Sequence, residues 1–239
     1  MDSNAEQRHR SLVIVVGQLT LGGAELSAIT MANWWVEQGW NISLLVLLGK
    51  CSPHPFALHP SLKVVSICDG PLSSNSMCRY YQVGRVLLRL RRTLKAIGPD
   101  LVISIADWAN VMTALSLFWT KLGLVVSERC TPSKVPLNAF WKLLRPIAYR
   151  RALCVVAVSK KDARMLREEG LSHTNWMPGP ISPPPSNLVE SRNNRVIFIG
   201  RLAFQKGVDR ALRAFAAINS ELPSWSFHIF GSAVSYTHL

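Results

Sequence analysis

The sequence predicts an α/β protein built on a parallel, doubly wound sheet. Short apolar runs alternate with helical patterns over most of the 239 residues, the order expected of repeated strand–helix units. The runs are apolar at nearly every position, as in strands covered by helices on both faces. Glycines at Gly39, Gly98 and Gly170 stand where helices should end.

Leu12–Val16 reads as the first strand and runs into Gly17-Gln18-Leu19-Thr20-Leu21-Gly22-Gly23. A helix follows from about Ala24 to Gln38, with Leu26, Ile29, Met31, Ala32 and Trp35 in an approximate apolar stripe. Ile42–Leu48 and Leu62–Ile67 read as the second and third strands. A basic helix is expected from about Tyr80 to Ile97, stopped by Gly98-Pro99-Asp100, which launches the strand Leu101–Ile105. Asn110–Leu122 reads as helix, Leu124–Ser127 as strand, Ala139–Arg151 as helix and Cys154–Val158 as strand. Ser159 is placed to cap a helix running through Glu169.

At Pro178-Gly179-Pro180-Ile181-Ser182-Pro183-Pro184-Pro185 the character changes. Proline at that density fits neither helix nor central strand and makes a semi-rigid spacer. A fresh β-α-β pattern then begins, with Val196–Ile199, Val208 to about Ile218, and Ser226–Phe230. We therefore expect a first domain over residues 1–185, closed by a Pro-rich linker over 177–194, and an incomplete second domain over 195–239.

Nearly half of the residues are hydrophobic (49%) and 17% are charged, which supplies a core and argues against disorder. The net charge of +13 points to an anionic partner. Five scattered cysteines without a C-x-x-C pair argue against a disulfide framework or zinc site and for a reducing compartment. No histidine has metal-ligand spacing, and no apolar run approaches the roughly 20 residues of a membrane-spanning helix. The expected location is cytoplasmic.

The densest chemistry lies at Gly200-Arg201-Leu202-Ala203-Phe204-Gln205-Lys206-Gly207, directly behind Val196–Ile199. Arginine forks onto phosphate oxygens, lysine offers a point charge, and a helix start offers free N–H groups. Together they read as a cradle for a diphosphate. Gly22 and Gly23 follow the first strand, where backbone can approach a ligand that a Cβ would block. Simpler readings stay open. Gly22-Gly23 also reads as a tight βα turn, Arg201 and Lys206 as surface charges, Glu128 as an exposed carboxylate, and Asp107 with Asn110 as an N-cap pair.

Leu21-Gly22-Gly23-Ala24-Glu25, Asp100-Leu101-Val102-Ile103-Ser104, Asp107, Asn110-Val111, Ser127-Glu128-Arg129 with Pro132, Arg151-Ala152 and Ala157-Val158-Ser159 recur in order ahead of Gly200-Arg201 and Gln205-Lys206-Gly207. In this the chain resembles the family-4 retaining glycosyltransferases of the two-Rossmann-domain (GT-B) type. The resemblance implies transfer of a sugar from a nucleotide-diphosphate donor, UDP- or GDP-linked, to an acceptor hydroxyl with retention, without a metal or other cofactor. It makes Arg201 and Lys206 the catalytic cations and places Gly22, Gly23, Gly200 and Gly207 at the donor. Asp107, Asn110, Glu128 and Arg129 fall on the acceptor side, with Ser127-Glu128-Arg129 on a loop at the cleft. The acceptor is expected to be a saccharide or a lipid-linked saccharide. The sequence departs from the family at Pro178-Gly179-Pro180, where an Asn-Pro is usual, and the family's later paired glutamates have no counterpart. The implied chain stops early in its donor domain and turns over little.

Between Arg79 and Lys95 there are six basic residues and no acidic one. Arg145, Arg150, Arg151, Lys160, Lys161, Arg164 and Arg167 form a second cluster. Each Lys or Arg near anionic lipid is attracted by about 1 kcal/mol, so the helices over 79–95 and 145–167 are expected to meet an anionic membrane surface on its cytoplasmic side. Two other classes remain. One is a non-catalytic nucleotide- or phosphate-binding module. The other is a basic nucleic-acid-binding protein, disfavoured because the basic clusters lack interleaved aromatics.

Overall fold

The computed structural model describes residues 10–20, 22–50, 56–130, 139–181, 193–203 and 206–231. The chain divides into two compact units, Met1–Ser182 and Pro183–Leu239. The first contains β1 (Ser11–Val16), α1 (Gly23–Glu37), β2 (Asn41–Val46), β3 (Lys63–Ser66), α2 (Ser76–Ile97), β4 (Leu101–Ile105), α3 (Asp107–Ser116), β5 (Gly123–Glu128), α4 (Ala139–Arg150), β6 (Cys154–Ala157), α5 (Lys160–Glu168) and β7 (Thr174–Trp176). All seven strands pair in parallel in the order β3-β2-β1-β4-β5-β6-β7.

Successive strand residues point to opposite faces, and β1 shows how both are used. Leu12, Ile14 and Val16 pack with Ala28, Ile29 and Ala32 of α1. Val13 and Val15 join the opposite core, which α2, α3, α4 and α5 cover with Leu90, Met112, Tyr149 and Leu166 among others. The sheet is thus doubly wound, as the continuous apolar runs predict. Strand order reverses between β1 and β4, where Val16 pairs with Ile105. Open α/β sheets bind ligands at such a switch point, outside the carboxyl ends of the strands.

Several boundaries differ from the expected ones for identifiable reasons. α2 begins at Ser76 rather than near Tyr80, because the Asn75 side chain accepts from the N–H groups of Met77 (3.0 Å) and Cys78 (3.3 Å). α3 covers 107–116 rather than 110–122. The turn after it is held by Arg151, which donates to the carbonyls of Leu117 (3.3 Å), Thr120 (2.7 Å) and Leu122 (2.9 Å). β7 is a strand the sequence does not announce. Ser159 does cap α5, accepting from the Asp162 N–H at 3.1 Å. Gly98 and Gly170 close their helices at φ 58° and 88°, a region where side chains are strained.

The second basic cluster is less available than the sequence suggests. Arg145 is buried and pairs with Glu169 at 2.9 Å, Arg151 is taken up as above, and Arg167 donates to the Thr174 carbonyl at 2.7 Å. Arg150, Lys160, Lys161 and Arg164 remain at the surface. Among the described residues, no helix is long and apolar enough to cross a membrane.

The second unit contributes β8 (Arg195–Ile199), α6 (Val208–Ile218) and β9 (Ser226–Phe230), with the strands parallel. Phe215 stacks on Phe227 at 5.3 Å, yet no residue of α6 is buried and Ile199 is 80% exposed.

Candidate functional site at the strand ends

Three chain turns meet at the carboxyl ends of β1, β4 and β5. At the first, Gly22 precedes α1 with extended backbone (φ −143°, ψ 158°) and no side chain caps the helix. Neither Gly22 nor Gly23 has a positive φ, so backbone strain does not require glycine at either. A Cβ on Gly22 would displace only the flexible Glu25 carboxylate, and a Cβ on Gly23 would meet nothing within 4 Å. Gly23 therefore leaves open space at the first turn of α1, while the Glu25 carboxylate lies beside Gly22.

The second turn is strained. Ala106 has φ 74° and ψ 153°, a region that costs a residue with a Cβ about 1–3 kcal/mol. Its N–H donates to the Ser127 carbonyl (3.1 Å) and its carbonyl accepts from the Asn110 N–H (2.9 Å), which hold the conformation. The turn sets Asp107 at the first position of α3. Ala106→Gly is expected to raise stability by about 1 kcal/mol, the relieved strain exceeding the added freedom of the unfolded chain. Chemical denaturation checks this, and a destabilised variant would show the strain to be absent.

The third is the end of β5. Glu128 is its last residue and only 1% exposed, so it is neither the surface carboxylate nor the loop residue the sequence suggests. Its Oε2 accepts from the Tyr149 hydroxyl at 2.6 Å. Asn110 Nδ2 donates to that hydroxyl at 3.2 Å and to the Ser127 carbonyl at 3.0 Å. Asn110 is therefore not an N-cap. It is a buried residue inside α3, and Ala106 occupies the cap position.

Glu128 Oε1 and Asp107 Oδ1 are both buried without a donor, while the two carboxyls lie within hydrogen-bonding reach of one another. One proton held between them satisfies both. Burial, then the hydrogen bond and charge of Asp107, push the Glu128 pKa well above the usual carboxylate range, outweighing Tyr149 and Arg145. Burial thus favours the protonated form of Glu128, which has a hydrogen to offer Asp107. Burial and the neighbouring Glu128 likewise raise the Tyr149 phenol, keeping it a neutral donor.

Arg129, the next residue, emerges on the α1 side. Its Nη1 lies 3.6 Å from the position a Gly179 Cβ would take, as does Ser27 Oγ. Thus the structure joins Asp107, Asn110 and Glu128 in one network and brings Arg129 towards α1. Tyr149, which organises that network, carries no sequence signal beyond its place in a helical pattern.

The diphosphate cradle expected from the sequence lies in the second unit. The Gly200 N–H donates to the Phe230 carbonyl at 2.9 Å, and Gly231 packs against the Gly200 backbone too closely for a Cβ. The Ala203 N–H donates to the Arg201 carbonyl and the Lys206 N–H to the Ala203 carbonyl, both at 2.9 Å. The Arg201 and Lys206 side chains are exposed. Gly207 caps α6 at φ 68°, and a Cβ there would run into the Arg210 guanidinium. Gln205 lies outside the described residues.

This fold is shared with solved glycosyltransferase structures of the GT-B type. The Anabaena Alr3699/HepE structure in complex with UDP-glucose aligns over 95% of this chain and 62% of its own, with a TM-score of 0.69 at 17% identity. Sucrose-phosphate synthase from Thermosynechococcus elongatus gives 0.67 at 12% identity, over 93% and 62%. Residues 21–177 match the model of Glycosyltransferase Family 4, and the chain belongs to that family. Among curated relatives, an uncharacterized glycosyltransferase of Haemophilus influenzae is 21% identical over 88% of this chain and 58% of its own. A Campylobacter jejuni α-1,4-N-acetyl-D-galactosaminyltransferase, named for a diphospho-undecaprenol-linked saccharide, is 22% identical over 91% and 60%. The chain spans about 60% of the length of these relatives.

Proposed function

We propose that the protein transfers a sugar from a UDP- or GDP-linked donor to the hydroxyl of a saccharide carried on a lipid, with retention and without a metal. The observation that carries this is the glycine-bounded turn holding Arg201 and Lys206 at the carboxyl end of β8. Charge builds on the diphosphate as the glycosidic bond breaks, and two fixed cations beside a helix start stabilise it. We assign donor contacts also to Gly22 and Gly23, and acceptor contacts to Asp107, Asn110, Glu128 and Arg129. Family membership supports the reaction class. The Anabaena complex supports a nucleotide-sugar donor, and the Campylobacter relative a lipid-diphosphate acceptor.

Mass spectrometry of an undecaprenyl-diphosphate-linked saccharide, incubated with the protein and each nucleotide sugar, together with proton NMR of the product's anomeric centre, tests the reading. A mass gain of one sugar, unaffected by chelator and with the donor's anomeric configuration, is expected. Nucleotide binding without transfer would favour a non-catalytic module, and neither would remove the proposal.

A lipid-linked acceptor calls for a peripheral position on the cytoplasmic face of a membrane. α2 suits it, exposing Met77, Tyr80, Tyr81 and Leu88 together with Arg85, Arg92 and Lys95, the aromatic and cationic mixture of interfacial helices. Replacing Arg85, Arg92 and Lys95 by alanine is expected to weaken binding to phosphatidylglycerol vesicles about 100-fold, at roughly 1 kcal/mol per charge. Co-sedimentation unchanged by the substitutions or by salt would exclude this face.

A further inference from the structure

Arg129 brings a charge to the crevice that its surroundings do not answer. Nε and Nη2, one edge of the guanidinium fork, are buried without a hydrogen-bond partner. Burial pulls its pKa down. Alternation along β5 sends Glu128 towards α3 and α4, where it meets Asp107 and Tyr149, and sends Ser127 and Arg129 to the opposite face. Ser127 is also buried, and its Oγ has no partner. The far side of the guanidinium, Nη1, lies beside Gly179, which Ser27 Oγ also approaches. Ser27 Oγ in turn donates to the Gly23 carbonyl at 2.7 Å, so Gly179 stands between Arg129 and the first turn of α1. A desolvated cation and hydroxyl left unpaired carry a free-energy cost that a suitable partner recovers.

We propose that the Nε–Nη2 edge of Arg129 binds an oxyanion, a phosphate or a carboxylate of a ligand, in two-point contact. A planar fork matches either group, whereas a lysine offers only a point charge. This anion site uses different residues from the Arg201–Lys206 cradle, and it stands or falls by binding, whether or not transfer occurs.

The test uses the 239-residue chain carrying Arg201→Ala and Lys206→Ala, which removes the other cradle. Inorganic pyrophosphate and glucuronate are titrated separately by calorimetry in about 0.15 M salt, where distant surface charges are screened. Saturable binding of one or both probes is expected, and the tighter one identifies the ligand group as phosphate or carboxylate. Adding Arg129→Lys is expected to weaken binding about tenfold or more through loss of the fork, and Arg129→Gln to abolish it. Without ligand, Arg129→Gln should melt no lower than its parent, because an unpaired buried charge has gone. The proposal is overturned if neither probe binds the parent, if Arg129→Gln binds as tightly, or if Arg129→Gln melts lower without ligand. A missing transfer activity leaves these outcomes untouched and bears on the proposed reaction alone.

Discussion

Under the proposed reaction, replacing Arg201 or Lys206 by alanine is expected to lower the transfer rate about 10²–10³-fold relative to the wild-type chain, the loss typical of removing one preorganised group that stabilises developing charge. The effect should fall mainly on kcat. The donor diphosphate is already charged when it binds, and its departing oxygen gains charge only in the transition state. Lys206 separates this role from a structural one. Its side chain is exposed, and its backbone N–H bonds the Ala203 carbonyl whatever the side chain. Lys206→Ala should therefore keep the wild-type unfolding midpoint, and a rate within tenfold of wild type would take the cation out of the reaction.

The second large effect concerns Glu128, and it changes sign with the substitution. Glutamine reproduces the neutral acid, with an N–H to offer Asp107 and an oxygen to accept from Tyr149. Alanine leaves Asp107 without its donor and the Tyr149 proton without an acceptor, and is expected to destabilise the chain by about 2–3 kcal/mol. The glutamine variant should be the more stable protein at neutral pH. A carboxyl whose pKa rises on folding is neutral in both states below its unfolded value. As pH climbs past that value, only the unfolded chain releases the proton. Stability then falls by up to about 1.4 kcal/mol per pH unit until the folded group ionises as well. Glu128→Gln removes this dependence, so its advantage over wild type should be near zero in acid and grow as the pH rises. Urea unfolding across that range gives the answer, and parallel pH profiles for the two proteins would show that Glu128 ionises normally.

What the sequence reveals about this molecule follows the range of the interactions involved. β4 is a five-residue apolar run between a glycine stop and a helix, all local signals, and it is found residue for residue at Leu101–Ile105. The Gly200–Gly207 turn is also local, so its residues stand out in the sequence by themselves. β7 is different. Thr174-Asn175-Trp176 has no apolar run, and the strand exists because its backbone docks on β6. Glu128 reads wrongly as a surface group for a related reason. Its environment comes from Asp107 and Tyr149, each 21 residues away along the chain in opposite directions, and no spacing rule connects them. Ala106 shows a third case, since alanine is not a residue from which a positive φ is expected.

The Ser127 carbonyl accepts from both the Ala106 N–H and Asn110 Nδ2, and so fastens the β4–α3 turn to the end of β5. Neither side of that junction can relax without the other. The floor that these strand ends form would therefore meet the proposed acceptor with its rotamers already chosen. Ordering a free side chain on binding costs about 0.5–1.5 kcal/mol, and at this floor much of that loss of freedom was taken during folding.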